Sequence, residues 1–339
     1  METLSVNNYF KRLTQAFGGG WNRFWYTPSD SLPLCLIRVV TGLFALLFVF
    51  SYTADLSYFF AQGGLLPFEL TEQYPPYNAV YNPARLSYLT YLDEPLTLQI
   101  AHWTGIGVLC LFTVGYFSRV TAVLGLIITL SYIQRAPLLT SEFEPLLAAL
   151  QFYLCLGPCG ARLSVDRYLV DRKRQSNLEE KKYFSATLAN RLIQVHLCIV
   201  AAMMGLAKIS GPGEIVGAQE WYDPWGTGEA VWWMISRPQS RLFESLTLLR
   251  EYPYLVAAWT HLIVLVELIF PILIWNRMAR PLILVLGTMT WFSLMLISGI
   301  APFYALLLVA SISFVTPRRI SGWFCKASLN EHNTSLDRA

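Results

Sequence analysis

The sequence predicts an all-α polytopic membrane protein with about eight transmembrane helices and with both termini in the cytoplasm. Of its 339 residues, 55% are hydrophobic and only 14% are charged, whereas a soluble globular chain carries roughly 25% charged residues. The mean hydropathy is +0.44. Aromatic residues make up 14% and include 11 tryptophans, which suits the interfacial belts of a membrane protein. The net charge of +3 gives no reason to expect a nucleic-acid partner.

Apolar stretches that could form these helices recur along a transmembrane domain at residues 31–316. They are 33–52, 98–117, 120–133, 145–156, 189–206, 254–275, 281–297 and 301–314. A span needs about 20 residues, so the third, fourth and last stretches need their flanks or shielding by neighbours, and the count ranges from seven to nine. Residues 1–30 form an interfacial segment and 317–339 a cytoplasmic tail. The piece at 230–236 is re-entrant or interfacial, and the inner loop at 157–187 is a solvated connector.

The basic residues agree with an even number of helices. With the N-terminus inside, eighteen of the 25 Lys and Arg residues fall on inner segments, six fall on outer segments, and Arg38 lies within the first helix. An excess of basic residues in short loops marks the cytoplasmic side. Lys208, at the end of the fifth helix, is therefore expected on the outer side, where it is either a snorkelling anchor or a functional group.

Two groups of ionisable residues are expected at membrane depth. Arg38, Glu267 and His196 fall near one inner level at about 1.5 Å per residue. Because an unpaired charge is unfavourable in hydrocarbon, we expect an Arg38–Glu267 ion pair, joined by His196, in a structural rather than a catalytic role.

The second group gathers at the outer level and predicts a polar cavity open to that side. It comprises His102, Arg135, Glu142, Glu144, Lys208 and His261. Each histidine taken singly is more often a hydrogen-bonded core residue than a ligand. No metal-ligand spacing is present, so no metal site is expected.

Several motifs follow one another in order along the chain. They are Thr27-Pro-Ser-Asp30, Leu36-Ile-Arg38-Val-Val-Thr-Gly42, Ser164-Val165-Asp166, Gly205-Leu-Ala-Lys208, Trp225-Gly-Thr-Gly-Glu-Ala-Val-Trp232, and His261 with Glu267 and Pro271. Together they resemble the horizontally transferred transmembrane (HTTM) family, the bacterial relatives of the vitamin K-dependent gamma-carboxylase. The resemblance runs from about Thr27 to Phe314. Leu163 stands where the family has a tryptophan.

The resemblance implies an active site on the outer face of a bacterial inner-membrane protein. Lys208 matches the base that deprotonates a reduced, vitamin K-like quinone, and His261 would bind the quinone oxygen. His102, Arg135, Glu142, Glu144 and Trp225 would line the ligand cavity.

Two departures argue against protein carboxylation itself. Ser141-Glu-Phe-Glu-Pro145 replaces a histidine-containing stretch, and the large lumenal domain of the carboxylase is missing. Whether the chain is an enzyme stays open at this point. The alternative is a non-catalytic membrane factor, either a transporter or an accessory protein for maturation or immunity of a secreted peptide.

Overall fold

The computed structural model describes residues 18–61, 64–66, 87–92, 94–174, 182–210, 223–237 and 251–316, together with residues 14 and 249. The predicted cytoplasmic tail at 317–339 lies outside these residues. Apart from one isolated antiparallel bridge between Ser29 and Tyr183, the described residues contain no extended pairing. They are predominantly helical, as the sequence predicts.

Each of the eight predicted stretches corresponds to a helix. The principal helices are α1 (Leu32–Ser51), α2 (Leu56–Phe60), α3 (Pro95–Val114), α4 (Ser118–Arg135), α5 (Phe143–Leu156), α6 (Val165–Arg174), α7 (Phe184–Ile209), α8 (Ala230–Ser236), α9 (Pro253–Leu273), α10 (Arg280–Ile297) and α11 (Ala301–Ser311). Residues 18–26 are also helical. Short 3-10 turns lie at Tyr88–Tyr91, Pro137–Leu139 and Ile312–Phe314.

Five of the described helices are long and apolar enough to cross a membrane, which is expected of an integral membrane protein. They are α1, α3, α7, α9 and α10. Helices α5 and α11 are apolar but shorter. Helix α4 buries polar side chains such as Thr129 and Ser131 and exposes Val120 and Ile127. These polar side chains lower the mean hydropathy of α4. Because they face the protein while the apolar side chains face outward, the outer surface of the helix remains apolar.

Part of the segment predicted as a solvated connector at 157–187 is helical. Residues 165–174 form α6, whose exposed side chains include Tyr168, Leu169 and Val170 as well as charged groups. The helix is stabilised at the surface by an i,i+4 pair between Arg167 and Asp171 at 2.9 Å.

The chain divides into two compact units. The first comprises Met1–Thr140, Ala148–Ile193 and Val315–Ala339, and the second comprises Ser141–Leu147 and Gln194–Phe314. In the first unit, α1 packs against α3 and α4. Gly42 allows a close approach of α1 to α3, because a Cβ there would lie 2.6 Å from the Thr113 hydroxyl.

Two acidic residues of the sequence motifs, Asp30 and Asp166, form hydrogen bonds within the first unit. Asp30 accepts a hydrogen bond from the Leu32 amide at 3.0 Å and pairs with Arg162 at 2.8 Å. Asp166 accepts hydrogen bonds from the Phe117 and Ser118 amides and from the Ser118 hydroxyl. Asp166 therefore satisfies the backbone donors at the start of α4.

In the second unit, α9, α10 and α11 form a chain of packed neighbours, and α8 lies against both α9 and α10. Phe270 and Trp291 are fully or nearly fully buried, with ring centroids 4.9 Å apart. This packing holds α9 in place, and α9 carries Glu267 and four of the residues that line the candidate site.

Candidate functional site

The centre of the site is a buried ion pair between Lys208 and Glu267. The Lys208 Nζ lies 2.5 Å from a carboxylate oxygen of Glu267. The Glu267 side chain is 0% exposed and that of Lys208 is 11% exposed. A charge-assisted hydrogen bond of this length, shielded from water, is among the stronger polar contacts in proteins. Lys208 is therefore a paired, mostly buried group.

Gly205 explains how the two helices come close enough for this pair to form. A Cβ at Gly205 would lie 2.9 Å from the Leu268 side chain and 3.2 Å from its backbone nitrogen. Residues three apart share one face of a helix, so Gly205 and Lys208 face α9 together. The glycine permits close packing of α7 on α9 one turn before the lysine.

The position of Glu267 within α9 determines the depth of the pair. Glu267 follows the first residue of α9, Pro253, by fourteen positions, which corresponds to about 21 Å along the axis. Lys208 is the penultimate residue of α7. The end of α7 therefore meets α9 well past the start of α9 rather than at its first turn.

The turn at residues 223–229 covers the lysine. The Trp225 ring centroid lies 4.9 Å from the Lys208 Nζ, within the range of a cation–π contact. Asp223 shapes the turn by accepting a hydrogen bond from the Trp225 amide at 3.0 Å. Gly228 has φ +85° and lies against Ala257, where a Cβ would be only 2.8 Å from the alanine Cβ. The turn therefore needs glycine at this position.

Helix α8 secures this turn to α9. The Val231 amide donates to the Thr260 hydroxyl at 3.3 Å, and Thr260 is fully buried. The sequence prediction for 230–236 allowed a re-entrant or an interfacial piece, and the structure places it as a short helix against α9 and α10.

These elements border an open cavity of about 340 Å³, called here the Lys208 cavity. It is lined by Lys208, Ile209, Asp223, Trp225, Gly226, His261, Val264, Leu265 and Leu268. Ile209, Leu265 and His261 are all exposed, so the cavity opens at the surface of α7 and α9, and its rim is largely apolar but includes the imidazole. His261 has no hydrogen-bond or ion-pair partner among the described residues. The cavity thus combines an apolar rim with a cation, a carboxylate and an imidazole.

Glu267 and Arg38 have different partners from those predicted. Glu267 pairs with Lys208, and Arg38 donates to the carbonyls of Cys159 at 2.9 Å and Leu163 at 2.5 Å. The sequence analysis assigned Lys208 to the outer level and Glu267 to the inner level, because it assumed that neighbouring helices begin and end at the same height. His196, the predicted third member, is half-buried on α7.

The predicted cavity residues divide between the two units. Lys208, Trp225 and His261 line the Lys208 cavity of the second unit. Glu144, also in that unit, is buried and accepts hydrogen bonds from the Ser141 amide and hydroxyl at the start of α5. Glu142 is exposed. Neither glutamate is among the residues that line the Lys208 cavity.

His102 and Arg135 belong to the first unit. The Thr53 hydroxyl donates to the Phe50 carbonyl, so it accepts from His102 Nε2 at 3.0 Å. The other ring nitrogen, Nδ1, then accepts from the Tyr132 hydroxyl at 2.6 Å. Arg135 lies over the Phe60 ring at 5.3 Å. Both residues are buried and stabilise this region of the first unit.

Sequence reasoning missed Asp223 and the apolar lining. Asp-Pro-Trp-Gly at 223–226 is a turn signature, and it could have indicated a loop closing over the lysine. His261, Val264, Leu265 and Leu268 follow i,i+3,i+4,i+7 spacing, which places them on one helix face.

The described residues define an all-α protein with five helices suited to a membrane and a buried Lys–Glu pair beside an open cavity. Comparisons with protein-family models, with curated proteins and with solved structures found no match.

Proposed function

We propose that this chain is an HTTM-family integral membrane protein that binds a lipophilic, quinone-like ligand in the Lys208 cavity and exchanges a proton with it. In this proposal both termini are cytoplasmic, eight helices span the inner membrane of a bacterium, and the cavity faces outward. The observation that carries the proposal is the buried Lys208–Glu267 pair beside a cavity with an apolar rim.

The rim favours a ligand that arrives from the bilayer. Ile209 and Leu265 are exposed on helices that are apolar enough to span a membrane. A cavity of about 340 Å³ is at the small end of ligand sites. It accommodates a ring with its polar substituents, while an attached hydrocarbon tail would remain on the helix surface.

The polar groups favour a ligand with an ionisable hydroxyl. Lys208 uses one donor on Glu267 and directs the rest of its ammonium toward Trp225 and the cavity. Transfer of its proton to Glu267 would produce a neutral amine and a carboxylic acid, a form that hydrocarbon surroundings tolerate better than free charges. The neutral amine would then take the hydroxyl proton, with His261 available to bind the ligand oxygen.

A non-catalytic membrane factor is the second candidate, and one observation favours it. Glu267 already neutralises Lys208 at 2.5 Å, so the pair also suits a site that binds a lipophilic molecule or a secreted peptide without chemistry. In that case the cavity would serve transport or an accessory role.

The test is quinol oxidation, together with ligand retention, by protein purified with native lipid. With dioxygen added as the electron acceptor, wild type should oxidise a reduced quinone after its hydroxyl proton passes to Lys208, and it should retain a lipophilic molecule detectable by mass spectrometry. Lys208→Ala should lose turnover by at least tenfold. Lys182→Ala, at an exposed lysine of the first unit, should leave turnover unchanged.

Equal turnover in the Lys208→Ala variant would overturn the proton-transfer proposal. Retention of a ligand by wild type without any turnover would favour the non-catalytic factor instead.

A further inference from the structure

The first unit contains a larger groove at the opposite end of its helices from Tyr132. It has a volume of about 560 Å³ and is called here the α4–α6 groove. Its lining comes from the α3–α4 turn, the segment after α5, and α6, and includes Tyr116, Phe117, Arg119, Gly160, Asp166 and Leu169. The turn at Gly115, with φ +76°, ends one apolar helix and starts the next. The groove therefore lies where α3 and α4 would meet a membrane surface.

The acidic group in this groove already has hydrogen-bond partners within the protein. Asp166 accepts hydrogen bonds from two amides and one hydroxyl at the start of α4, each between 2.7 and 2.9 Å. Burial raises the pKa of Asp166, but these hydrogen bonds and the nearby Arg38 outweigh it and hold the pKa below its ordinary value. The carboxylate is satisfied by the start of α4 and is not aimed at a ligand.

The basic group in the groove, by contrast, is available to a ligand. Arg119 is exposed and has no hydrogen-bond or ion-pair partner within the described parts of the chain. Arg167, by contrast, is paired with Asp171 on α6. Arg172 is exposed and lies three residues after Leu169, on the same face of α6. The groove thus presents positive charge without a protein partner.

An apolar track leads away from Arg119 along α4. Val120 is 58% exposed, Leu124 is 41% exposed and Ile127 is 48% exposed, and their spacing puts them on one face of the helix. Phe117, at the groove itself, is also exposed. A cation at the head of an exposed apolar stripe matches the layout of an anionic phospholipid, with its phosphate at the interface and its chain in the hydrocarbon.

We infer that the α4–α6 groove binds an anionic phospholipid, with its headgroup beside Arg119 and one acyl chain along Val120, Leu124 and Ile127. The occupant is a membrane lipid rather than a soluble phosphate, because the apolar track would be left uncovered by a soluble anion. This site is separate from the Lys208 cavity and does not depend on the function proposed for it.

The test is native mass spectrometry of the purified full-length chain in detergent with added lipid. The two lipids compared are phosphatidylglycerol and phosphatidylcholine with identical acyl chains, so only the headgroup charge differs. Wild type should retain phosphatidylglycerol preferentially. Arg119→Gln should weaken that retention about fivefold, which converts to about 1 kcal/mol. Arg167→Gln, which removes a charge already paired, should have little effect.

A second pair of variants tests the groove without removing a native charge. Leu169→Glu should lower phosphatidylglycerol retention and Leu169→Lys should raise it, because Leu169 is an exposed lining residue. Unchanged melting temperatures in phosphatidylcholine would confirm that the variants fold.

Equal retention of the two lipids by wild type would overturn the inference. So would equal phosphatidylglycerol retention in the Leu169→Glu and Leu169→Lys variants.

Discussion

Replacing Lys208 by methionine should destabilise the second unit strongly, because it leaves Glu267 buried without a cation. Methionine resembles the lysine stem in length and is apolar, so packing against Trp225 and Leu268 changes little. The carboxylate of Glu267 is 0% exposed, and its second oxygen has no hydrogen-bond partner in the described structure. It therefore has neither water nor a donor to replace the ammonium.

The expected decrease in the free energy of unfolding follows from the burial of Glu267. Removing one partner of a buried ion pair typically lowers the free energy of unfolding by about 3–5 kcal/mol, and we expect Lys208→Met to fall in that range. Glu267→Met should be milder, because the Lys208 side chain is 11% exposed and its flexible stem can carry the ammonium toward water. The double variant should lie within about 1 kcal/mol of wild type, since no unpaired charge remains.

The assay is a double-mutant cycle measured by sodium dodecyl sulfate titration of the protein in mixed micelles at pH 7. Helix content reports unfolding, and the coupling free energy between Lys208 and Glu267 is the quantity of interest. Lys182→Met is the matched control, because Lys182 is exposed. It should change the free energy of unfolding by less than about 0.5 kcal/mol.

A coupling free energy near zero would contradict the buried pair. A double variant as unstable as Lys208→Met alone would also contradict it, because the loss would then come from packing rather than from an uncompensated carboxylate.

Three further predictions concern single contacts. Tyr132→Phe removes the donor to a buried histidine and should lower the free energy of unfolding by about 1–3 kcal/mol. Tyr91→Phe, at an exposed position, should leave it unchanged in the same denaturation assay. Gly205→Val should lower stability by about 1–3 kcal/mol through overpacking and should reduce ligand retention. Gly107→Val, with open space around it, should preserve retention, and equal effects of the two valines would contradict the close approach of α7 and α9. Asp166→Ala should cost about 0.5–2 kcal/mol at pH 7. Because the folded-state pKa of Asp166 is depressed, its contribution is complete above the unfolded-state value of 3.8 and is lost as pH falls through the lower folded-state pKa. The difference from wild type should therefore shrink in acid, and a constant difference from pH 7 to pH 3 would contradict this.

Helix positions were predictable because helices suited to a membrane appear in the sequence as long continuous runs of apolar residues. The stretch predicted at 33–52 is the helix Leu32–Ser51, and that predicted at 281–297 is Arg280–Ile297. Agreement was poorer where polar residues occupy a helix. The fifth stretch, predicted at 189–206, extends over Phe184–Ile209, because the tertiary structure accommodates polar residues at both of its ends.

The candidate site was predictable in its members but not in its pairing. Motif order and residue type indicated Lys208, Trp225 and His261, and these three residues line one cavity. The partner of Glu267 was not predictable, because depth along a helix depends on where its neighbour ends. A shift of a few residues between α7 and α9 moves a side chain by several ångströms, since each residue adds about 1.5 Å.

The sequence by itself determined that this is an all-α protein suited to a membrane, and it singled out Lys208 as an unusual charge. Both conclusions depend on composition and periodicity, which local chemistry sets. Only the tertiary structure decided that Lys208 neutralises Glu267 beneath Trp225. That contact joins residues 59 positions apart and depends on the close packing of α7 on α9 at Gly205, which no local pattern encodes.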